Sequence, residues 1–409
     1  MADPILGLTG QRPAHVWMGR ARRVLSRELL VLYLVICCAD VVVGMILPVF
    51  PLLARELGAS LGLIGVLTSL NGAAQVLSAV PIGALSDRRG RVPVIAAGLM
   101  LFALVAALLA AAPSPAWLLP AQALTGVATV ATFFIAAALV GDASAPADRG
   151  VAMGLLTTAM GLGFAIGPLL GGLVHRAGGV RTGLQIAAML SAGAAALAWL
   201  LLPRRAPMVR IARSRGPRMG LLLQNRALLL ACLANFLFSP VFSAVVVMVL
   251  PLRAASLGMD AVAIGSLYTV RALASTATRL PIGVFCTPAG SRRLMIAAMA
   301  FSGAALLGLA LRADYPAMMI LLAAEGISFG MFLTAGQAFV SQHVPPAQLG
   351  AALGTYNTAG GLSATISPLL IGLVAASVPL PTVFSMIGAL VCGGALVLLA
   401  LSRLPTPAD

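Results

Sequence analysis

Long apolar runs, broken by short polar turns, occupy the chain from residue 28 to residue 402. Twelve can be counted, near 28–53, 61–84, 92–112, 117–141, 150–174, 181–202, 226–252, 261–284, 293–311, 316–341, 348–376 and 380–402. Each is about long enough to cross ~30 Å of hydrocarbon as a helix. The pattern predicts an all-α polytopic membrane protein with twelve transmembrane helices. Composition agrees: 60% of residues are hydrophobic and 9% charged, against roughly one-quarter charged in a soluble domain.

The runs form two copies of one unit. Shifted by 200 residues, the sequence matches itself without a gap from Ala138–Val174 to Ala338–Val374, with 18 of 37 residues identical. Pro168/Pro368 and Gly172/Gly372 are among them, and the same offset aligns Pro81-Ile82-Gly83 with Pro281-Ile282-Gly283. The expected organisation is an N-terminal segment 1–27, a six-helix bundle 28–202, a linker 203–225, a second bundle 226–403 and a tail 404–409. The linker is rich in Arg, Pro and Gly; it reads as a topological anchor, with lipid sensing or partner binding as the alternative.

A net charge of +15, from 26 basic residues, all arginine, against 11 acidic ones, would suggest nucleic acid in a soluble protein. Here the arginines alternate by loop. With both termini inside, the cytoplasmic segments take most of them, the outer segments hold only Arg55, Arg176, Arg181, Arg253 and Arg312, and no nucleic-acid partner is expected. The first apolar run is longer than a signal-peptide core and should stay as a helix. Five cysteines lie within apolar runs with no metal-ligand spacing, and the three histidines are scattered. No Ser-His-acid set, metal cluster or phosphate loop stands out, so neither an enzyme nor a cofactor is expected.

Three stretches carry a family resemblance. The turn Gly83-Ala-Leu-Ser-Asp87-Arg88-Arg89-Gly90-Arg91 joins the second and third runs and resembles the loop signature of the major facilitator superfamily. In the first run, Asp40, Gly44, Pro48 and Pro51 resemble the first helix of the drug/proton antiporter branch; Pro48 cannot donate to the Gly44 carbonyl and should let the helix bend. In the fifth, Gly163, Gly167, Pro168, Gly171 and Gly172 are similar to the glycine-rich antiporter motif and would let helices approach closely. Its copy has Ser363, Ser367 and Ile371 in place of three of the glycines. The resemblance implies a midplane substrate site between rocking halves, and a cytoplasmic gate of Gly83, Asp87, Arg88, Gly90 and Arg91 with Asp142. The antiporters usually carry an arginine four residues before Gly126; this chain has Gln122.

Ionisable groups deep in apolar runs are costly, by ~2.5–3.5 kcal/mol on insertion scales, and so point to function. Asp40 lies about twelve residues, or ~18 Å, past Glu28. Arg271 and Glu325 lie at similar depth in the eighth and tenth runs. The expectation is a shared network of Asp40, Arg271 and Glu325 that exchanges a proton or binds substrate; the alternative is a fixed ion-pair lock between the halves. Asn71, Gln75, Gln122, Asn235, Gln337, Tyr356 and Asn357 are candidates for lining the path, though each alone could be a helix-to-helix hydrogen bond.

The function that follows is proton-coupled export of a small lipophilic or cationic compound by a monomer in the plasma membrane, with protons and lipid as further partners. Uptake or exchange of an organic anion anchored by Arg271 is the second reading, and a non-transporting sensor or scaffold the third.

Overall fold

The computed structural model of the protein describes residues 25–145, 148–204, 224–345 and 348–403; most of the expected N-terminal segment and linker, and the whole tail, lie outside the described residues. A segment crossing hydrocarbon has no water to bond its backbone, so it satisfies its own N–H and C=O groups as helix. Among the described residues all regular structure is helical. The order is α1 Arg27–Glu56, α2 Leu61–Arg89, α3 Arg91–Ala111 and α4 Pro115–Ala143. The long helix Arg149–Leu201 divides at Gly179 into α5 (149–178) and α6 (180–201). Then come α7 Arg226–Ser256, α8 Ala261–Phe285, α9 Pro288–Leu311, α10 Tyr315–Gln342, α11 Leu349–Ala375 and α12 Leu380–Arg403.

Among the described residues ten helical stretches are long and apolar enough to span a membrane. One of them is the doubled α5–α6, and α8, which carries Arg271 and Arg279, completes the twelve expected. Gly179 turns the chain with φ +82°, a conformation that costs a side-chain-bearing residue. A Cβ on Gly183 would lie 3.9 Å from the Val174 side chain. In a straight helix nine residues span about 13 Å, so α5 and α6 lie side by side.

The repeat is visible in the turns. Gly58 and Gly258 both take positive φ, and Ser60 and Asp260 cap α2 and α8 by accepting from the backbone N–H three residues on. Inside the first half, α1 packs on the glycine face of α5: a Cβ on Gly171 would sit 3.0 Å from Met45 Cα, and one on Gly167 would meet the Val41 carbonyl and lie 2.8 Å from Gly44 Cα. α1 is interrupted at Leu47–Pro48, between Arg27–Ile46 and Val49–Glu56. The equivalent α7–α11 contact uses hydroxyls, with Ser363 donating to the Phe236 carbonyl at 2.6 Å and Ser243 bonded to Ser367 at 2.9 Å.

The halves meet along two related seams, α2 with α11 and α5 with α8. At the end opposite the Asp87–Arg91 turn they touch backbone to backbone: a Cβ on Gly372 would fall 2.8 Å from Gly65 Cα, and one on Gly265 would strike the Pro168 carbonyl. At the turn end a Cβ on Gly83, Gly283, Gly154 or Gly354 would meet nothing within 4 Å, and Val80 and Val284 are about 80% exposed. Gly83, placed in the cytoplasmic gate by the sequence, thus faces open space, and the halves stand apart there.

The α1–α5 contact should be intolerant of a single methyl. Gly167→Ala forces backbone apart and is expected to cost about 1–3 kcal/mol, read as a lower thermal midpoint in detergent. Gly154→Ala, in open space, should leave the midpoint unchanged or slightly higher.

Candidate functional site

Between the halves lies a cavity of about 380 Å³. α1 contributes Asp40, Leu47 and Phe50; α2 Thr68, Asn71 and Gln75; α4 Gln122, Thr125 and Thr129. Across the seam, α7 adds Phe242, Ser243 and Val247, and α11 adds Ala364. Phe164 of α5 and Phe242 of α7 pair across the halves at 6.1 Å between ring centres. The lining is mostly apolar and aromatic with a few polar groups, the composition of a small-molecule site.

Asp40 is the one acid in this lining among the described residues. It is 7% exposed, and its Oδ2 has no hydrogen-bond partner among them. Gly163 makes room for it, since a Cβ there would lie 2.8 Å from Asp40 Cβ. Opposite runs a chain of amides: Gln75 Nε2 donates to Asn71 Oδ1 at 2.7 Å, and Asn71 Nδ2 donates to Gln122 Oε1 at 3.0 Å. Gln122 is thus a neutral group tied into the α2–α4 crossing.

Arg271 and Glu325 do not share the chamber with Asp40. They form a two-point ion pair, Nε to Oε2 and Nη2 to Oε1 at 3.2 Å, with side chains 2% and 0% exposed. The guanidinium sits 4.6 Å from the Phe329 ring centre and 5.4 Å from that of Phe242, so Phe242 stands between the pair and the cavity edge. This corrects both expectations. The three charges are not one network, and the pair joins α8 to α10 within the second half, so it does not lock the halves together. With its fork taken up by Glu325, Arg271 offers no anchor to an organic anion in this conformation.

The pair has a neutral counterpart. A Cβ on Gly126 would strike the Asn71 carbonyl, and one on Gly326 the Arg271 carbonyl. The α2–α4 and α8–α10 crossings are therefore alike, one bonded by amides and the other by charges.

Other candidates lie elsewhere. Asn235 donates to the Tyr356 carbonyl at 2.9 Å, binding α7 to α11; Tyr356 is buried against Gly336, and Gln337 and Asn357 are exposed. None of these four lines the cavity. At the turn, Arg91 bonds Asp87 at 2.8 Å, Asp142 at 3.1 Å and the Ser86 hydroxyl, while Arg88 is exposed. Gly90, with φ +91°, links α2 to α3. These contacts fasten α2, α3 and α4 of one half, and no ion pair crosses to α11 among the described residues.

Sequence reasoning missed Thr68, Thr125, Thr129, Phe242 and Ser243. The threonines bond their own helix, as in Thr125 Oγ1 to the Ala121 carbonyl at 2.7 Å, and look like filler; the one-turn spacing of Gln122, Thr125 and Thr129 was the available signal. Phe242 and Ser243 follow Pro240, where α7 widens into a π-helix over Val241–Val249. Such widenings often mark functional sites. Arg279 was also missed, hidden among the arginines near helix ends.

Two six-helix bundles meeting around a cavity that both line are the arrangement of a membrane transporter built from repeated halves. The family model of the Major Facilitator Superfamily matches residues 32–252 and again 231–409. The chain belongs to that superfamily; it is a transporter, not an enzyme. It is 36% identical over 135 residues to the class C tetracycline resistance protein of Escherichia coli, covering 32% of this chain and 34% of that one. The chain thus spans about a third of the length of the curated relatives it matches. The solved nucleoside transporter NupG superposes with a TM-score of 0.75 at 16% identity, over 92% of this chain and all of NupG. The human organic anion transporter MFSD10 gives 0.68 at 20%, over 91% and 99%. At such identities these two show the shared fold.

Removing one member of the buried pair leaves the other charge unmatched. Glu325→Ala or Arg271→Ala should each cost about 3–5 kcal/mol, while replacing both with apolar residues, Arg271→Met with Glu325→Leu, should recover most of it. Thermal unfolding of the three variants in detergent checks this.

Proposed function

We propose that this transporter exports a small lipophilic cation in exchange for protons, with Asp40 as the group that cargo and proton use in turn. The observation that carries the reading is the carboxylate of Asp40, buried and lacking a partner on Oδ2, at the wall of a cavity that both halves line. Such a group is costly at membrane depth unless a cation or proton neutralises it. Phe50, Phe102, Phe164 and Phe242 line the same cavity, and aromatic rings attract organic cations. The likeness to the class C tetracycline resistance protein supports a drug-like compound as cargo.

The arginine-rich turn ending α2 belongs on the cytoplasmic side. On that orientation both termini are cytoplasmic, the membrane is the plasma membrane, and this conformation opens inward. Residues 28–202 and 226–403 then rock as two bodies about the α2–α11 and α5–α8 seams. Arg91, Asp87 and Asp142 brace one cytoplasmic corner so that it moves as a unit. The organic-anion reading loses its anchor with Arg271 bound to Glu325. A sensor that moves nothing would be excluded by any measurable flux.

Reconstituted in liposomes with an imposed pH gradient, the protein should drive uptake of a lipophilic cation such as tetraphenylphosphonium. Asp40→Asn should reduce that uptake to the level of protein-free liposomes. Unchanged gradient-driven uptake in Asp40→Asn would remove the proposal.

A further inference from the structure

Asp40 and Arg279 face the seam from opposite halves, and each has a buried atom with no hydrogen-bond partner among the described residues, Oδ2 on one and Nε on the other. They interact electrostatically without forming an ion pair. Both lean on α5. Arg279 Nη1 donates to the Thr157 carbonyl at 3.4 Å, a long bond, while Asp40 packs on Gly163, six residues or ~9 Å along the same helix.

The surrounding charges leave these two for each other. Arg271, two turns before Arg279 on α8, is committed to Glu325 and repels Arg279. On α1 the titratable neighbour is Cys37, and α5 presents glycine and a backbone carbonyl. One turn beyond Arg279, a Cβ placed on Gly283 would meet no atom within 4 Å. Closing the turn end therefore has room to carry this part of α8 inward.

We infer that Arg279 is the alternating counter-ion of Asp40: when the turn end closes, its guanidinium leaves the Thr157 carbonyl, pairs with the Asp40 carboxylate across the seam, and displaces the cation held there. The inference rests on reading Asp40 as the cation site, and it supplies the step that releases cargo on the far side. No bond is made or broken; one cation replaces another on one carboxylate.

Equilibrium binding of tetraphenylphosphonium to the purified full chain tests it. Arg279→Gln and Arg279→Met remove the competitor and should each tighten binding about tenfold, within the coupling found between contacting residues. Arg279→Lys should bind as the native protein does, and the tightening should vanish on an Asp40→Asn background. A damaged fold weakens binding and cannot mimic this gain. Unchanged or weaker binding in the neutral variants, or tightening that survives Asp40→Asn, would overturn the inference.

A second measurement needs no cargo. Arg279→Asp and Asp40→Arg should each lower the thermal midpoint, and the two together should regain most of the loss, whereas additive losses sink the pairing. If native protein fails to bind the probe but the swap recovers stability, the cationic-cargo reading falls and the pairing stands. If Asp40→Asn abolishes gradient-driven uptake while the Arg279 variants behave as native, only the pairing falls.

Discussion

A charge at membrane depth is costly unless another charge or a group from water matches it, and the Arg271–Glu325 pair and Asp40 stand differently under that constraint. Arg271 and Glu325 satisfy each other through two contacts, with aromatic rings over the guanidinium. Asp40 has no such match, and it is the group that borders the cavity. The contrast follows from where the side chains point. The pair sits inside one bundle, and Asp40 borders the cavity that both bundles line.

The repeated halves use one geometry for two purposes. Where α5 has Gly163, Gly167 and Gly171, α1 lies against it with backbones in contact. Where α11 has Ser363 and Ser367, α7 is held by hydroxyl bonds and widens into a π-helix beside the cavity. At position 40 of the first half stands an aspartate, and at the equivalent position 240 a proline. One half carries the ionisable group on a tightly packed helix. The other supplies a widened helical wall carrying Phe242 and Ser243.

Much of this architecture was legible because the bilayer narrows the options. Spans, turns and the twofold repeat all follow from run length and a single offset, and that offset pairs Gly65 with Gly265 at the two seams. Depth was legible too, so Asp40, Arg271 and Glu325 stood out. What sequence spacing does not give is azimuth relative to neighbouring helices, and that decided the partners: Glu325 turned to Arg271 within its own half, and Asp40 to the cavity. Asn235, Gln337, Tyr356 and Asn357 were polar enough to suggest a path, yet they lie outside the lining. The threonines that do line it were masked by bonds to their own helix.

The distribution of glycines carries the last step. At the sealed end, Gly65, Gly172, Gly265 and Gly372 are each in contact with backbone of the opposite half, which no side chain could occupy. At the parted end, Gly83, Gly154, Gly283 and Gly354 sit at matching positions of the same four helices with open space before them. A glycine in open space within a helix sacrifices about 1 kcal/mol relative to alanine. At the far end the same four helices use glycine for backbone contact, so the glycines at both ends fall where the two halves face each other. Pro81 and Pro281, inside α2 and α8 just before the parted glycines, weaken those helices there. The spare room at one end thus answers, helix for helix, to the backbone contact at the other, as a repeat of two like halves requires.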